Sequence, residues 1–438
     1  MGHGKKRIDV AEFLIFRARH GHSPEIRLMF QTLKSNSPFS APRDDTARAS
    51  CGNVAKSDFL SLTLAHAAQS ETMFGAEAFP DGQPIGGGPG YSAGPSKENA
   101  SHRVDSLKSL QEALAAARAG EVVWIESGST IDFTGVRLKI PENVTLAGDR
   151  GQGDSAGPLL YARHTGSEYF VQMQTGARLT GVRVQGSNPL LKDIDTEAND
   201  PSGYAVDCCN AEVDNCEISQ FQRGGVAMFR DCSRSLIHHN FIHDIGAYPI
   251  LLGNGTGDGH VIEGNRIEWA WHAVASNGSR GSGCLVRNNE FRRVERPAKF
   301  DPAGNDSPNW CLDIHSNEGG PTKPDRPKTR QLTVERNTFL ADASIKIGDG
   351  SELLKKMGLY PKHDIYVGAG KEMATKVEIR GNLFLMHEKS CGLHPFKPYG
   401  QAIRLVGLRG HPKLPDDPGS ASGTWQVVVE DNKFSGAR

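Results

Sequence analysis

The sequence lacks the features that usually announce a function. No stretch approaches the roughly 18 apolar residues of a spanning helix, so the chain is expected to be soluble and without a membrane partner. Neither sign of charge prevails: 50 basic and 51 acidic residues leave a formal net charge of -1. That balance offers no footing for nucleic acid or an anionic surface. The eight cysteines include no CxxC spacing. Cys208, Cys209, Cys216, Cys232 and Cys284 therefore read as small buried thiols, not as a disulfide framework or a metal site. Long helical periods are scarce too, because most apolar runs are only a few residues long before Gly, Asn, Asp or Ser breaks them.

What is there is repetition. Asn215-Cys-Glu-Ile, Asn240-Phe-Ile, Asn265-Arg-Ile and Asn289-Glu-Phe restart one pattern at steps of 25, 25 and 24 residues. Asn337, Asn382 and Asn432 follow at 48, 45 and 50, each read as close to two such periods. A fixed period of this size is the mark of a stacked solenoid. Runs such as Gly225-Val-Ala-Met-Phe and Leu236-Ile-His-His-Asn are too short for helices and read as strands between turns. Three short strands per coil describe an all-β, single-stranded parallel β-helix. The stacked asparagines are read as structural, their amides satisfying one another along the solenoid.

Residues 1–80 read as a poorly ordered N-terminal extension, and residues 81–438 as the β-helix domain. Met1 to Phe30 is too charged and too broken for a secretory signal. Lys56 followed by Phe59-Leu-Ser-Leu-Thr-Leu and Ala65-His-Ala67 looks like a weak export signal in a late position, and a secreted or periplasmic protein is expected. The Gly-rich Pro84 to Tyr91 lacks the strand and helix that a phosphate loop needs, and is expected to cross the end of the β-helix. Leu107, Leu110, Leu114 and Ala117 then recur at helical spacing, with Asp105 or Ser106 as cap and Gly120 as stop. That helix is expected to cover the first coil. Insertions are expected at 190–203, 295–309 and 319–330; the last two flank Cys311-Leu-Asp-Ile-His-Ser, which marks that strand for chemistry.

The segment Leu107-x-x-Leu-x-x-Ala-Leu, then Gly-Glu-Val-Val-Trp-Ile and Ile131-Asp-Phe-Thr-Gly, resembles the opening of pectate lyase-like right-handed β-helix proteins. Ile140-Pro-x-x-Val-Thr-Leu-Ala-Gly-Asp-Arg-Gly151, His272-Ala-Val-Ala-Ser and Asp313-Ile-His315 look similar to a poorly characterised branch of that superfamily. The resemblance implies a right-handed coil and a polysaccharide partner. The pectate lyase motifs proper are absent, as is the polygalacturonase pattern, so neither pectate nor that hydrolysis is implied.

Taking Ala273 and Ala275 as inward, beneath Leu312 and Ile314, places a titratable stripe on one outer sheet: His272, Asp313, His315, Lys346, Tyr366 and Arg404. Arg280 and Arg287 follow His272 closely enough to reach it. Hydrolysis needs two carboxyl groups across the sugar, and only Asp313 stands out. β-Elimination at a uronic acid asks instead for a base and for cations on the carboxylate. The expected roles are His315 or His272 as base, Asp313 orienting it, and Tyr366 as proton donor. Arg280, Arg287, Lys346 and Arg404 are the expected substrate binders. No cofactor is required; Asn254, Asp258 and Asp349 read as Asx turns first and as calcium ligands second. His238, His239, His243 and Asp244 read as a turn hydrogen-bond cluster. The rival readings are a non-catalytic carbohydrate-binding or structural β-helix and a glycoside hydrolase. The oligomeric state does not follow from the sequence.

Overall fold

Strands of three to seven residues alternate with turns that need a left-handed backbone, and the sequence supplies residues that tolerate it. Asn143, Asn210, Asn215, Asp244, Asn288 and Asp431 all take φ between 49° and 55°, where Asn and Asp are the least strained residues after Gly. The computed structural model describes residues 74–77, 82–163, 169–187, 203–221, 223–228, 232–253, 259–268, 272–276, 283–292, 312–314, 329–340, 345–347, 374–386, 403–405 and 425–436. Among these the chain winds into three parallel sheets of eleven, ten and nine strands. Each coil contributes one strand to each sheet.

The hydrophobic core runs along the coil axis. On the eleven-stranded sheet Val213, Ile237, Ile262, Val286, Val334 and Ile379 are successive register partners, and all are fully buried. Each such side chain contributes about 1.5–3 kcal/mol from burial before its lost entropy is counted. On the ten-stranded sheet Phe291, Phe339 and Phe384 stack with centroids 5.1 and 4.5 Å apart. The helix spans Leu107–Ala116, capped by a reciprocal Ser106–Ser109 box. It buries Leu110, Ala113 and Leu114 in the core cluster, as expected of a cap. Strand His102–Val104 just before it pairs with Val122–Ile125.

The asparagine ladder corrects the sequence reading twice. Asn289 donates from N and Nδ2 to Asn337 Oδ1, both at 3.0 Å, and the same pair of bonds joins Asn337 to Asn382 and Asn382 to Asn432. The steps of 48, 45 and 50 residues are therefore single coils carrying insertions, not double periods. Register also pairs Glu217 with Phe241, so Cys216, not Asn215, stands opposite Asn240. Cys216 N donates to Asn240 Oδ1, and its Sγ lies 3.5 Å from Leu179 O. The next coil's Asn240 uses Nδ2 for the equivalent bond, to Val213 O. Asn215 holds the left-handed turn position just before the ladder.

Two further expectations are overturned. Cys209 and Cys232 form a disulfide between successive coils, because residues 23 apart in a coil of this size meet side by side. Cys208, Cys216 and Cys284 are buried cysteines outside the disulfide, as read. The Gly-rich segment does not cross the end of the β-helix; it lies along the flank, over turns of several coils. Gly75 N donates to Gly381 O and Gly86 N to Gly264 O, while Gly88 N donates to Asn215 Oδ1. Buried Arg150 holds the strap, donating to Gly86 O and to Asn215 O and Oδ1. Glycine is demanded here by contact: a Cβ on Gly87 would sit 2.3 Å from His239 O, and one on Gly151 2.0 Å from Gly88 O. Residues 1–73 lie outside the described residues.

Candidate functional site on the nine-stranded sheet

Every long insertion after the strand Cys284–Arg287 enters or leaves the nine-stranded sheet or the turns beside it. Its strands Val274–Ser276, Leu312–Ile314, Ile345–Ile347 and Ile403–Leu405 are consecutive neighbours. One register row runs Ala227, Leu251, Ala275, Asp313, Lys346 and Arg404. Upstream the same row continues through Asp207, Gln172 and Lys139; it is apolar at Ala227, Leu251 and Ala275 and ionisable in the three coils that follow. Partners in parallel strands lie about 4.8 Å apart.

Register corrects the phase assumed from alternation. Val274, not Ala273 or Ala275, pairs with Leu312, and both Val274 and Leu312 are fully buried in the core. Ala273 joins them, so two consecutive residues face inward at the bend that opens this strand. Phe170 with Val171 and Ala205 with Val206 do the same. Strict alternation fails there, and Ala275, not Val274, is the partner of Asp313. His272 sits three positions earlier, about 10 Å along the strand. It is 5% exposed and stacks on Tyr248 at 6.0 Å and 20°.

Lys346 pairs directly with Arg404. Arg287 belongs to the eleven-stranded sheet, in a row of alternating sign: Glu263, Arg287, Glu335, Arg380 and Glu430. There it pairs with Glu263, as Arg380 pairs with Glu335 at 2.8 Å, and it does not reach His272. His315, Tyr366, Arg280, Asn254, Asp258 and Asp349 lie outside the described residues, as do the inserted segments 190–202, 295–309 and 319–328.

The histidine cluster is a hydrogen-bond network, as read. His238 Nδ1 meets His239 Nδ1 at 2.8 Å and its Nε2 meets Glu212 Oε1 at 3.1 Å. His243 Nδ1 binds Asp244 Oδ2 at 2.8 Å, with Nε2 at ion-pair distance, 3.5 Å, from Glu217. Burial opposes its charge, but the two carboxylates outweigh it and lift the pKa to about 9. Glu212, Asp214 and His238 present ligand atoms within 4.8 Å of one another. A metal does not suit them, because Arg178 already supplies the cation. Its guanidinium spans both oxygens of Asp214 at 2.8 Å, and Thr180 and Tyr91 donate to Oδ2.

Sequence reasoning missed the aromatic row in front of the charged one. Tyr169, Tyr204, Gly224 and Tyr248 are register partners, and His272 stacks on the last. The Arg223 guanidinium lies 5.5 Å from the Tyr204 ring centroid, and that of Arg137 5.7 Å from Tyr169. The available signal was Tyr two residues before each buried Val or Ile, in Tyr169-Phe-Val, Tyr204-Ala-Val and Tyr248-Pro-Ile.

Residues 162–300 match the family model described as right handed beta helix region, which agrees with the coil described above. Comparison with curated protein sequences finds no match. Similar solved structures include an alginate lyase from Paenibacillus sp. str. FPU-7, 12% identical over 70% of this chain and 97% of that one, TM-score 0.38. A family 28 exopolygalacturonase from Yersinia enterocolitica is 10% identical over 75% and 74%, TM-score 0.33. The catalytic unit of a thermostable alpha-1,3-glucanase from Streptomyces thermodiastaticus strain HF3-3 is 15% identical over 78% and 70%, TM-score 0.37. A β-helix carries lyases, hydrolases and passive surfaces alike.

Proposed function

We propose that this protein acts on a uronic-acid-containing polysaccharide and cleaves it by β-elimination. The observation that carries this reading is the register row Asp313, Lys346, Arg404 on three consecutive coils. A polyuronate presents carboxylates at regular intervals, and cations set one coil apart on a rigid sheet match such a repeat. In the proposed reaction His315 takes the proton beside the carboxylate. The electron pair forms the ring double bond, and the glycosidic oxygen leaves with the next sugar and acquires a proton. Asp313 orients His315, and Lys346 and Arg404 hold the carboxylate whose charge builds as the proton departs. Hydrolysis is less well served, since it needs two carboxyl groups at a set separation and this row contributes one.

The Cys209–Cys232 bridge supports an oxidising compartment, secreted or periplasmic, as the place of action. No helix among the described residues is long and apolar enough to cross a membrane. The test is incubation with a panel of polyuronates, following near-UV absorbance of the unsaturated product, with His315→Ala in parallel. Unsaturated product from wild type alone supports the reading. Reducing ends without unsaturation indicate a hydrolase, and binding without cleavage indicates a passive surface.

A further inference from the structure

Arg223 immediately precedes the strand Gly224–Met228 of the nine-stranded sheet and is a cation without a counter-charge among the described residues. Its Nε is buried and finds no hydrogen-bond acceptor, and no carboxylate pairs with it among the described residues. Its guanidinium is instead laid on the ring of Tyr204. That ring is held in place from below: a Cβ on Gly224 would fall 2.2 Å from Tyr204 Cδ1, so the glycine makes room for it. A stacked guanidinium keeps its in-plane N–H donors free for a planar anion.

Beside it, the half-buried Tyr248 stacks on His272, and Tyr248 N donates to Arg223 O at 3.0 Å. Cation and aromatic pair are therefore fixed to one another through adjacent strands. The Asp313 strand lies two coils beyond Tyr248, about 10 Å along the solenoid axis. A sugar ring offers C–H faces that pack on an aromatic ring, and a uronic acid adds a carboxylate that a guanidinium grips with two parallel bonds.

We infer that Arg223 and Tyr248 form a subsite for a uronic-acid residue, with Tyr248 under the sugar ring and Arg223 on its carboxylate. Tyr204 and His272 act as positioning residues for these two. The inference borrows its ligand class from the proposed function, but not the cleavage. It is therefore tested by binding.

The probes are defined-length oligosaccharides of polygalacturonate, alginate and hyaluronan, each beside its carboxyl-reduced form, titrated calorimetrically into the full chain. Arg223→Gln should weaken binding of the acidic probe about tenfold and leave the reduced probe unaffected. Tyr248→Ala should weaken both about tenfold, and Tyr248→Phe should bind like wild type. Unchanged thermal unfolding of Arg223→Gln and Tyr248→Phe shows that these variants remain folded. If Arg223→Gln and Tyr248→Ala bind acidic probes like wild type, the subsite is overturned even where unsaturated product is still formed. If the variants lose binding as stated while wild type forms no unsaturated product, the subsite stands and the lyase reading falls. Absence of binding to all three acidic probes by wild type overturns the subsite.

Discussion

Asn289 and Asn337 lie 48 residues apart in the chain and are hydrogen-bonded in neighbouring coils, two donors of the first meeting one oxygen of the second at 3.0 Å. Asn337 Nδ2 in turn donates to Val286 O at 2.9 Å. These groups are buried beyond the reach of water.

Asn337→Ala is accordingly expected to strand two donors and a carbonyl in the interior. A loss of about 3 kcal/mol is expected. Urea unfolding measures it; a change below about 0.5 kcal/mol would mean that the ladder is redundant.

The strap should be releasable without touching a coil strand. Gly151 has φ +82°, and a Cβ there would lie 2.0 Å from Gly88 O. Gly151→Ala is expected to push the strap away, speeding hydrogen exchange at Gly86 and Gly88 and exposing residues 82–93 to protease. Unchanged exchange at both amides counts against the strap being held there.

Reducing the Cys209–Cys232 bond removes a cross-link that closes 23 residues of chain. Chain entropy alone assigns it about 3 kcal/mol. Denaturant midpoints of the wild type and Cys209→Ser/Cys232→Ser should differ accordingly, and equal midpoints would show the bridge to be neutral.

His243 should make stability depend on alkaline pH. Its folded pKa of about 9 exceeds the value near 6.5 expected for the unfolded chain. The stabilisation from protonated His243 is thus complete below about pH 6.5 and is lost as pH rises through about 9, on the order of 2 kcal/mol. The stability gap between wild type and His243→Gln should close across that window. A gap that stays constant with pH argues against the charged pairing with Asp244 and Glu217.

For the proposed reaction, His315→Ala is expected to lower kcat on a polyuronate by about a hundredfold or more. Arg404→Met should chiefly raise KM, since it removes a binding cation. Progress curves on the same substrate separate the two; an Arg404→Met enzyme with wild-type KM would remove that residue from the site.

Much of the fold was legible because a coil repeats its chemistry. Apolar pairs after an asparagine, left-handed turn residues and a capped helix are local signals, and each can be read from a few neighbours. The candidate strand was legible for a related reason: insertions around residues 311–316 interrupt an otherwise steady spacing.

What the sequence by itself determined, then, was the coil, its helical cap and the place where its regularity breaks. Tertiary structure decided which residues become neighbours. Register is set by hydrogen bonds between coils, and an insertion changes the residue count without changing those bonds. That is why Asn289 meets Asn337, why Lys346 meets Arg404, and why Cys209 meets Cys232. Facing is set by the bend at each strand's start, where Ala273 and Val274 both turn inward. A pattern of alternation cannot register that bend, so it set Val274 rather than Ala275 beside Asp313. Arg223 over Tyr204 and Tyr91 on Asp214 are contacts across coils and across the strap, and no spacing in the chain encodes them.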